Sequence, residues 1–301
     1  MTPAPSAVQS RRVTLARSAR KVPDTPPRAV LGIDAAWTAT RPSGVALAVE
    51  RADAVEGAGR WALRAVAPSY DHFLALARGA VHDGAASGSV PDAAALLAAA
   101  QRIAGTAVSL VAIDMPLSHE PITGRRPSDD AIARAFGARH CSTHSPSALR
   151  PGALSDTLRA DFAAAGYPLR TDVEGAGAGG LIEVYPHPAL VFLAGAARRL
   201  PYKAGNIAKY WPGEPIAVRR RRLVAEWERI AALLATRLDG VAGHLPILPD
   251  PSTGAQRKAQ EDMLDAIVCA WVGITALTGQ AEAYGDAVSA IWVPRDTGTD
   301  P

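Results

Sequence analysis

The sequence has little cysteine, no long apolar run and no large excess of charge. Its 301 residues include only two cysteines, Cys141 and Cys269, which leaves one disulfide arithmetically open but does not indicate a disulfide scaffold. A reducing cytoplasm is therefore the expected location. No apolar stretch reaches the roughly 18 residues of a membrane span, and the first 28 residues lack the apolar core of a secretory signal. We therefore expect no membrane association.

The charge is unevenly distributed, although the net charge is only +3. Residues 10–28 are strongly basic, and residues 219–222 are consecutive arginines. Such segments can contact nucleic acid, but most charge runs are solvated faces. We expect residues 1–28 to be a disordered basic lead, residues 29–295 to form one domain, and residues 296–301 to be a tail.

Short apolar runs bounded by turn residues predict strands, and longer amphipathic stretches predict helices. The predicted strands are 29–35, 44–50, 60–67, 108–113 and 181–185, with a further candidate at 287–293. The predicted helices are 70–80, 92–104, 128–137, 154–165, 215–238 and 256–278. This order indicates a mixed α/β sheet, interrupted after the fourth strand by an irregular insertion at 115–178.

Two of the predicted strands end in an aspartate, in "VLGIDAAW" and "VAIDMPL". If these strands are parallel neighbours, Asp34 and Asp114 lie side by side at one edge of the sheet. Close carboxylates repel and raise each other's pKa, and a divalent cation relieves that repulsion. Oxygen ligands of this kind suit Mg²⁺ or Mn²⁺.

Further acids lie on a strand and on the last helix. Glu183 interrupts the apolar strand "LIEVY", and "EDMLDAIVCAW" places Glu261 and Asp262 within one turn of Asp265. Each acid also has an ordinary interpretation, as a turn or N-cap residue or as part of a solvated helix edge. The combination is more informative, because four elements each offer an acid where a site at the sheet edge would collect them.

The segments "GIDAAW", "VAIDMPL", "RRPSDDAIAR", "IEVYPHPAL", "YK" and "EDMLDAIVCAW" occur in this order, and together they resemble the DUF429 family over about residues 29–295. This resemblance implies a ribonuclease H-like fold. The expected sheet is mixed and five-stranded, in the order 3-2-1-4-5, with helices on both faces. The first and fourth strands are then adjacent and parallel.

The resemblance also implies a nuclease activity with nucleic acid as substrate. By position, Asp34, Asp114 and Asp265 would bind two Mg²⁺ or Mn²⁺ ions with Asp262 as a helper, and Glu183 would be a further catalytic acid. In such sites two ions, about 3.5–4 Å apart, activate a water and stabilise the leaving oxygen of a phosphodiester. Resolvase-like chemistry would suit a homodimer.

Several basic residues are candidates for substrate binding. Arg125, Arg126, Lys203 and Lys209 are candidate phosphate contacts, with surface solvation as the alternative for each. His187 is either a substrate-binding or general-base residue, or a packed core histidine.

The segment "HCSTH" at 140–144 has spacing that suits a zinc site, but a fourth ligand is not apparent. Cys141 with His144 as a nucleophile pair is an alternative, and the segment could instead line a substrate cleft. Two other function classes stay open. An actin-like sugar kinase or ATPase shares the fold, although the residues after Asp34 lack paired glycines, and a non-catalytic binding protein could retain it.

Overall fold

A computed structural model of the chain describes residues 26–51, 60–172, 177–245, 247 and 253–295. Seven strands form one sheet in the order β3-β2-β1-β4-β5-β7-β6. The strands are β1 (Ala29–Asp34), β2 (Gly44–Glu50), β3 (Trp61–Ala67), β4 (Leu110–Ile113), β5 (Gly180–Val184), β6 (Ala281–Gly285) and β7 (Ala290–Pro294). Residues 1–25 of the expected basic lead and residues 296–301 of the expected tail lie outside the described residues.

The first five strands have the predicted order, but the prediction of a five-stranded sheet is wrong. β7 adds to β5 in parallel and forms an antiparallel hairpin with β6, which becomes the edge strand. The candidate strand at 287–293 corresponds to β7. β6 was not predicted, because its sequence "AEAYG" is short and carries a glutamate and a glycine. The strand is only partly buried and therefore lacks the apolar run of a central strand.

The predicted helices are confirmed to within a few residues, including the two in the insertion. The described helices are α1 (Tyr70–Ala77), α2 (Ala93–Ala104), α3 (Pro127–Phe136), α4 (Ala153–Ala164), α5 (Pro186–Leu193), α6 (Ile207–Tyr210), α7 (Ile216–Ala235), α8 (Val241–His244) and α9 (Gly254–Leu277). No helix within the described residues combines the length and apolar character needed to cross a membrane.

Helices cover both faces of the sheet, as predicted. Side chains of a strand alternate between faces, so Leu31 and Ile33 of β1 pack with α1, α2 and α4. Val30 of the same strand packs in a separate core with α5, α7 and α9. The long helix α9 starts at a capping box, in which the Thr253 hydroxyl accepts from the Gln256 amide. It then runs across β1, β2 and β4, where the site lies.

Candidate active site

The strand register brings two aspartates to the same edge of the sheet. Ile33 of β1 pairs with Ile113 of the parallel strand β4, so Asp34 and Asp114 occupy equivalent positions one residue further on. The amide of Asp114 donates a hydrogen bond to the carbonyl of Ile33 at 2.9 Å. The sequence-based expectation that these strands are parallel neighbours is therefore confirmed.

Two glycines allow helix α9 to approach this edge closely. A Cβ atom at Gly32 would overlap the backbone of α9 at Ala266, and one at Gly44 would overlap the carbonyl of Asp262. Because neither glycine has a side chain, the helix backbone rests directly on β1 and β2. This contact brings the carboxylates of Asp262 and Asp265 beside the ends of the strands.

The four aspartates form a group of like charge, in which Asp262 and Asp265 are buried and Asp34 and Asp114 are partly exposed. Burial and the neighbouring Asp262 raise the pKa of Asp34 to about 7. Burial and the charge of Asp34 raise the pKa of Asp114 well above its ordinary value. Burial also raises the pKa values of Asp262 and Asp265 to about 6, although lysines oppose the rise. The group therefore attracts protons or cations.

Two lysines and a glutamate complete the cluster. The Lys258 ammonium bonds Asp262 Oδ1 and lies 3.0 Å from Glu261 Oε1. The Lys203 ammonium bonds Asp265 Oδ2 and lies 3.4 Å from Glu261 Oε1. The cluster thus holds five acids against two lysines, and its negative charge is incompletely balanced.

The donor chemistry of the cluster fits a hard divalent cation. Asp262 Oδ2 is buried and has no hydrogen-bond partner, and an orphaned carboxylate oxygen of this kind is costly unless a cation or proton reaches it. All the candidate donors are carboxylate oxygens, which suit Mg²⁺ or Mn²⁺. As they stand, the His, Cys, Asp and Glu side chains of the described residues contain no group of three or more arranged to hold an ion.

Glu183 lies on the other face of the sheet from the strand-end aspartates, although it lines the smaller cleft together with Asp114. It pairs with Ile113 in the register, and Ile113 faces α1, α2 and α4. Both carboxylate oxygens of Glu183 accept from the Arg126 guanidinium, at 2.5 and 2.8 Å. The amide of Leu117 donates to the same carboxylate at 2.7 Å. Burial nonetheless raises the pKa of Glu183 to about 7, against the lowering effect of Arg126.

Arg126 is enclosed in this network, at the border of the smaller cleft. Its guanidinium also bonds Asp129 at 3.0 and 3.1 Å and donates to the carbonyl of Leu117 at 2.7 Å. The side chain is only 6% exposed. Glu183, Arg126 and Asp129 therefore form a buried ion-paired triad that fixes the chain after β4 against β5 and the start of α3.

The other predicted basic contacts have different environments. Arg125 is ion-paired with Asp130 at 2.6 Å and also donates to the carbonyl of Asp129 at 2.8 Å. Lys209 is exposed on α6. His187 is buried between the rings of Tyr185 and Tyr202, with centroids 5.3 and 5.4 Å away. Burial and nearby Lys203 hold the pKa of His187 well below its ordinary value, so its ring is neutral.

Two adjoining clefts open at the carboxylate cluster. The larger has a volume of about 1520 Å³ and is lined by Asp34, Asp114 and Asp262. The smaller, of about 370 Å³, reaches Glu183 and Lys203. Both clefts share the side chains Trp37, Asp114, His144 and Lys258. Asp34, Asp114 and Asp262 therefore lie where a bound molecule could reach them from the surface.

The "HCSTH" segment divides between the core and the cleft. Cys141 is fully buried in an apolar cluster with Ile132 and Phe136, and burial raises the pKa of its thiol to about 11. His140 is exposed, whereas His144 lines both clefts. These three side chains thus have separate surroundings. Of the interpretations left open by the sequence, the lining of a cleft agrees best with the position of His144.

Sequence reasoning missed several members of the site. Lys258 lies three and four residues before Glu261 and Asp262 on one helix, and this spacing was a usable signal. Arg41 and Arg150 line the larger cleft, but both come from loops, for which periodicity gives no information.

Comparison with known proteins identifies a family and no closer relative. A family model described as "Protein of unknown function (DUF429)" matches residues 32–289, which is more than half of the chain. No curated protein and no solved structure matches the chain.

Proposed function

The chain belongs to the DUF429 family, and we propose that it is a metal-dependent hydrolase that cleaves phosphodiester bonds in nucleic acid. The observation that carries this proposal is the group of like-charged aspartates Asp34, Asp114 and Asp262, which line an open cleft and raise one another's pKa values. The adjacent order β3-β2-β1-β4-β5 also supports a ribonuclease H-like fold, in which acids in these positions bind metal ions.

Asp34, Asp114 and Asp262 are the residues that would hold Mg²⁺ or Mn²⁺. When bound, such a cation lowers the pKa of a coordinated water and stabilises the charge on a leaving oxygen. The strands and α9 fix the carboxylates in advance. Lys258 borders both clefts, and its ammonium is positioned to donate hydrogen bonds to a substrate phosphate. Its pKa is raised by Asp34 and Asp262 despite burial, so it stays positively charged.

The larger cleft suits a polymer with unpaired bases. Its volume of about 1520 Å³ exceeds the roughly 300–1,000 Å³ of ordinary small-molecule pockets. Arg41 and Arg150 line it, and the Arg150 guanidinium lies 6.0 Å from the centre of the Trp37 ring. Aromatic rings that stack bases beside arginines that contact phosphates are typical of single-stranded nucleic-acid sites. We therefore propose single-stranded or branched nucleic acid as the substrate.

A cleavage assay tests this function. The purified chain is incubated with labelled single-stranded, duplex, hybrid and branched DNA and RNA, in Mg²⁺, in Mn²⁺ or in a chelator. We expect cleavage of single-stranded or branched substrates that the chelator abolishes. If no substrate is cut in either metal, the nuclease proposal is wrong. ATP turnover with phosphate release under the same conditions would favour the kinase or ATPase class instead.

Replacing Arg150 with alanine should weaken binding of a single-stranded oligonucleotide by roughly tenfold, because a phosphate contact and the pairing with Trp37 are both lost. Fluorescence anisotropy in a chelator measures this binding without cleavage. Arg102→Ala is the matched control, since Arg102 is exposed on α2 and does not line either cleft. Equal affinity of both variants would exclude Arg150 from substrate binding.

A further inference from the structure

The oxygens of Asp265 are fully engaged within the protein. Asp265 Oδ1 accepts from the Tyr202 hydroxyl at 2.7 Å, and Oδ2 accepts from the Lys203 ammonium. The side chain is completely buried. A metal ion could bind Asp265 only by displacing one of these donors, and a displaced tyrosine hydroxyl or ammonium would then need a new partner in the interior.

Lys203 is held in place from several sides. Besides Asp265, its ammonium contacts Glu261 and lies 5.1 Å from the centre of the Tyr202 ring. Its side chain is 19% exposed. The amide of Ala204, the next residue, donates to Glu261 Oε2 at 2.6 Å, which ties the backbone beside Lys203 to α9. Lys203 therefore has little freedom to leave.

Lys258 differs from Lys203 in its freedom to move. Its side chain is 54% exposed, so the ammonium can rotate into the cleft without loss of hydration. That movement would release Asp262 Oδ1, and Asp262 Oδ2 is already without a partner. The carboxylates of Asp34 and Asp262 lie side by side and interact with each other. The carboxylate oxygens available to a cation thus belong to Asp34, Asp114 and Asp262.

We propose that this cluster binds one divalent cation, through Asp34, Asp114 and Asp262, and that the Lys203 ammonium takes the place of a second ion beside Asp265 and Glu261. This inference rests on the proposed function, and it departs from the two-ion arrangement that the family resemblance implies. Lys203 is then a positioning residue: it holds Asp265 and Glu261 and neutralises them without metal.

The test counts Mn²⁺ ions bound per chain, by calorimetry and by electron paramagnetic resonance, without substrate. We expect one ion per wild-type chain and a magnetically isolated Mn²⁺ spectrum. Two ions at the roughly 3.5–4 Å of a two-metal site would instead be coupled. Lys203→Met should bind a second ion, because Asp265 and Glu261 lose their cation. Lys209→Met, which alters an exposed lysine on α6, should bind one ion.

The outcomes separate this inference from the proposed function. Two coupled ions on the wild-type chain would overturn the single-ion inference and leave the nuclease proposal intact. No bound ion would overturn both. One ion without cleavage of any substrate would support the inference while the nuclease proposal fails. If Lys203→Met does not fold, the number of ions bound by the wild-type chain still decides between one ion and two. Asp262→Asn should weaken the affinity for the single ion at least tenfold.

Discussion

Replacing Asp34 with asparagine should lower the rate of metal-dependent phosphodiester cleavage by at least about a hundredfold, the usual effect of removing one preorganised electrostatic group from an active site. Asparagine preserves the shape of the side chain but removes the charge that would hold the cation. Initial rates on the best substrate of the panel, at saturating Mn²⁺, measure the effect. Retention of wild-type rates by this variant would contradict the assignment of Asp34.

The same substitution should stabilise the fold. The pKa of Asp34 is raised to about 7 by burial and by Asp262, above the ordinary value that it has when unfolded. Its ionisation therefore costs stability as the pH rises through that interval. At pH 8 without metal, Asp34→Asn should melt at least a few degrees higher than wild type. Asp130→Asn is the control for the cleavage prediction, because Asp130 is exposed and outside both clefts. This variant should cleave the substrate at essentially the wild-type rate.

Replacing Arg126 with leucine should reduce the free energy of unfolding by about 3–5 kcal/mol, since removing one partner of a buried ion pair leaves uncompensated charge. Both Glu183 and Asp129 would lose their guanidinium partner. Burial already raises the pKa of Glu183 to about 7 with Arg126 present, and without Arg126 it rises further. Because ionisation of such a group costs stability, the loss should be larger at pH 8 than at pH 5. Urea unfolding at both pH values measures it.

The neighbouring arginine provides the control for this prediction. Arg125 pairs with Asp130, whose side chain is 55% exposed, and an exposed pair contributes at most about 1 kcal/mol. Arg125→Leu should therefore be only slightly destabilised, with little dependence on pH. Similar losses for the two variants would mean that the triad does not stabilise the fold in the way its geometry indicates.

The positions of the aspartates were predictable because local sequence and topology agree. An apolar run that ends in Asp34, a second that ends in Asp114, and the parallel pairing of those strands place the two acids together. The spacing of the helix acids placed them on one face of the helix, and the family resemblance implied their position beside the strands. Gly32 and Gly44 let α9 rest on the sheet. Both glycines are visible in the sequence, but their role in this close packing is evident only from the position of the helix.

The remaining features depended on pairings that spacing does not reveal. The pairing of Arg126 with Glu183 joins residues 57 positions apart, so spacing along the sequence does not reveal it. Lys203 pairs with Asp265, which lies 62 positions away in the sequence, so this ion pair could not be predicted from spacing either. The edge strand β6 carries too little apolar character to be detected. These features arise from tertiary contacts that override local pattern.

Crystals soaked in Mn²⁺, with anomalous diffraction data, show directly whether the aspartates bind a metal ion. We expect an anomalous peak within about 2.0–2.3 Å of carboxylate oxygens from Asp34, Asp114 and Asp262, and its loss in Asp34→Asn. A peak at another site only, or no peak at Mn²⁺ concentrations that support cleavage, would contradict the claim that these aspartates form the metal-binding active site.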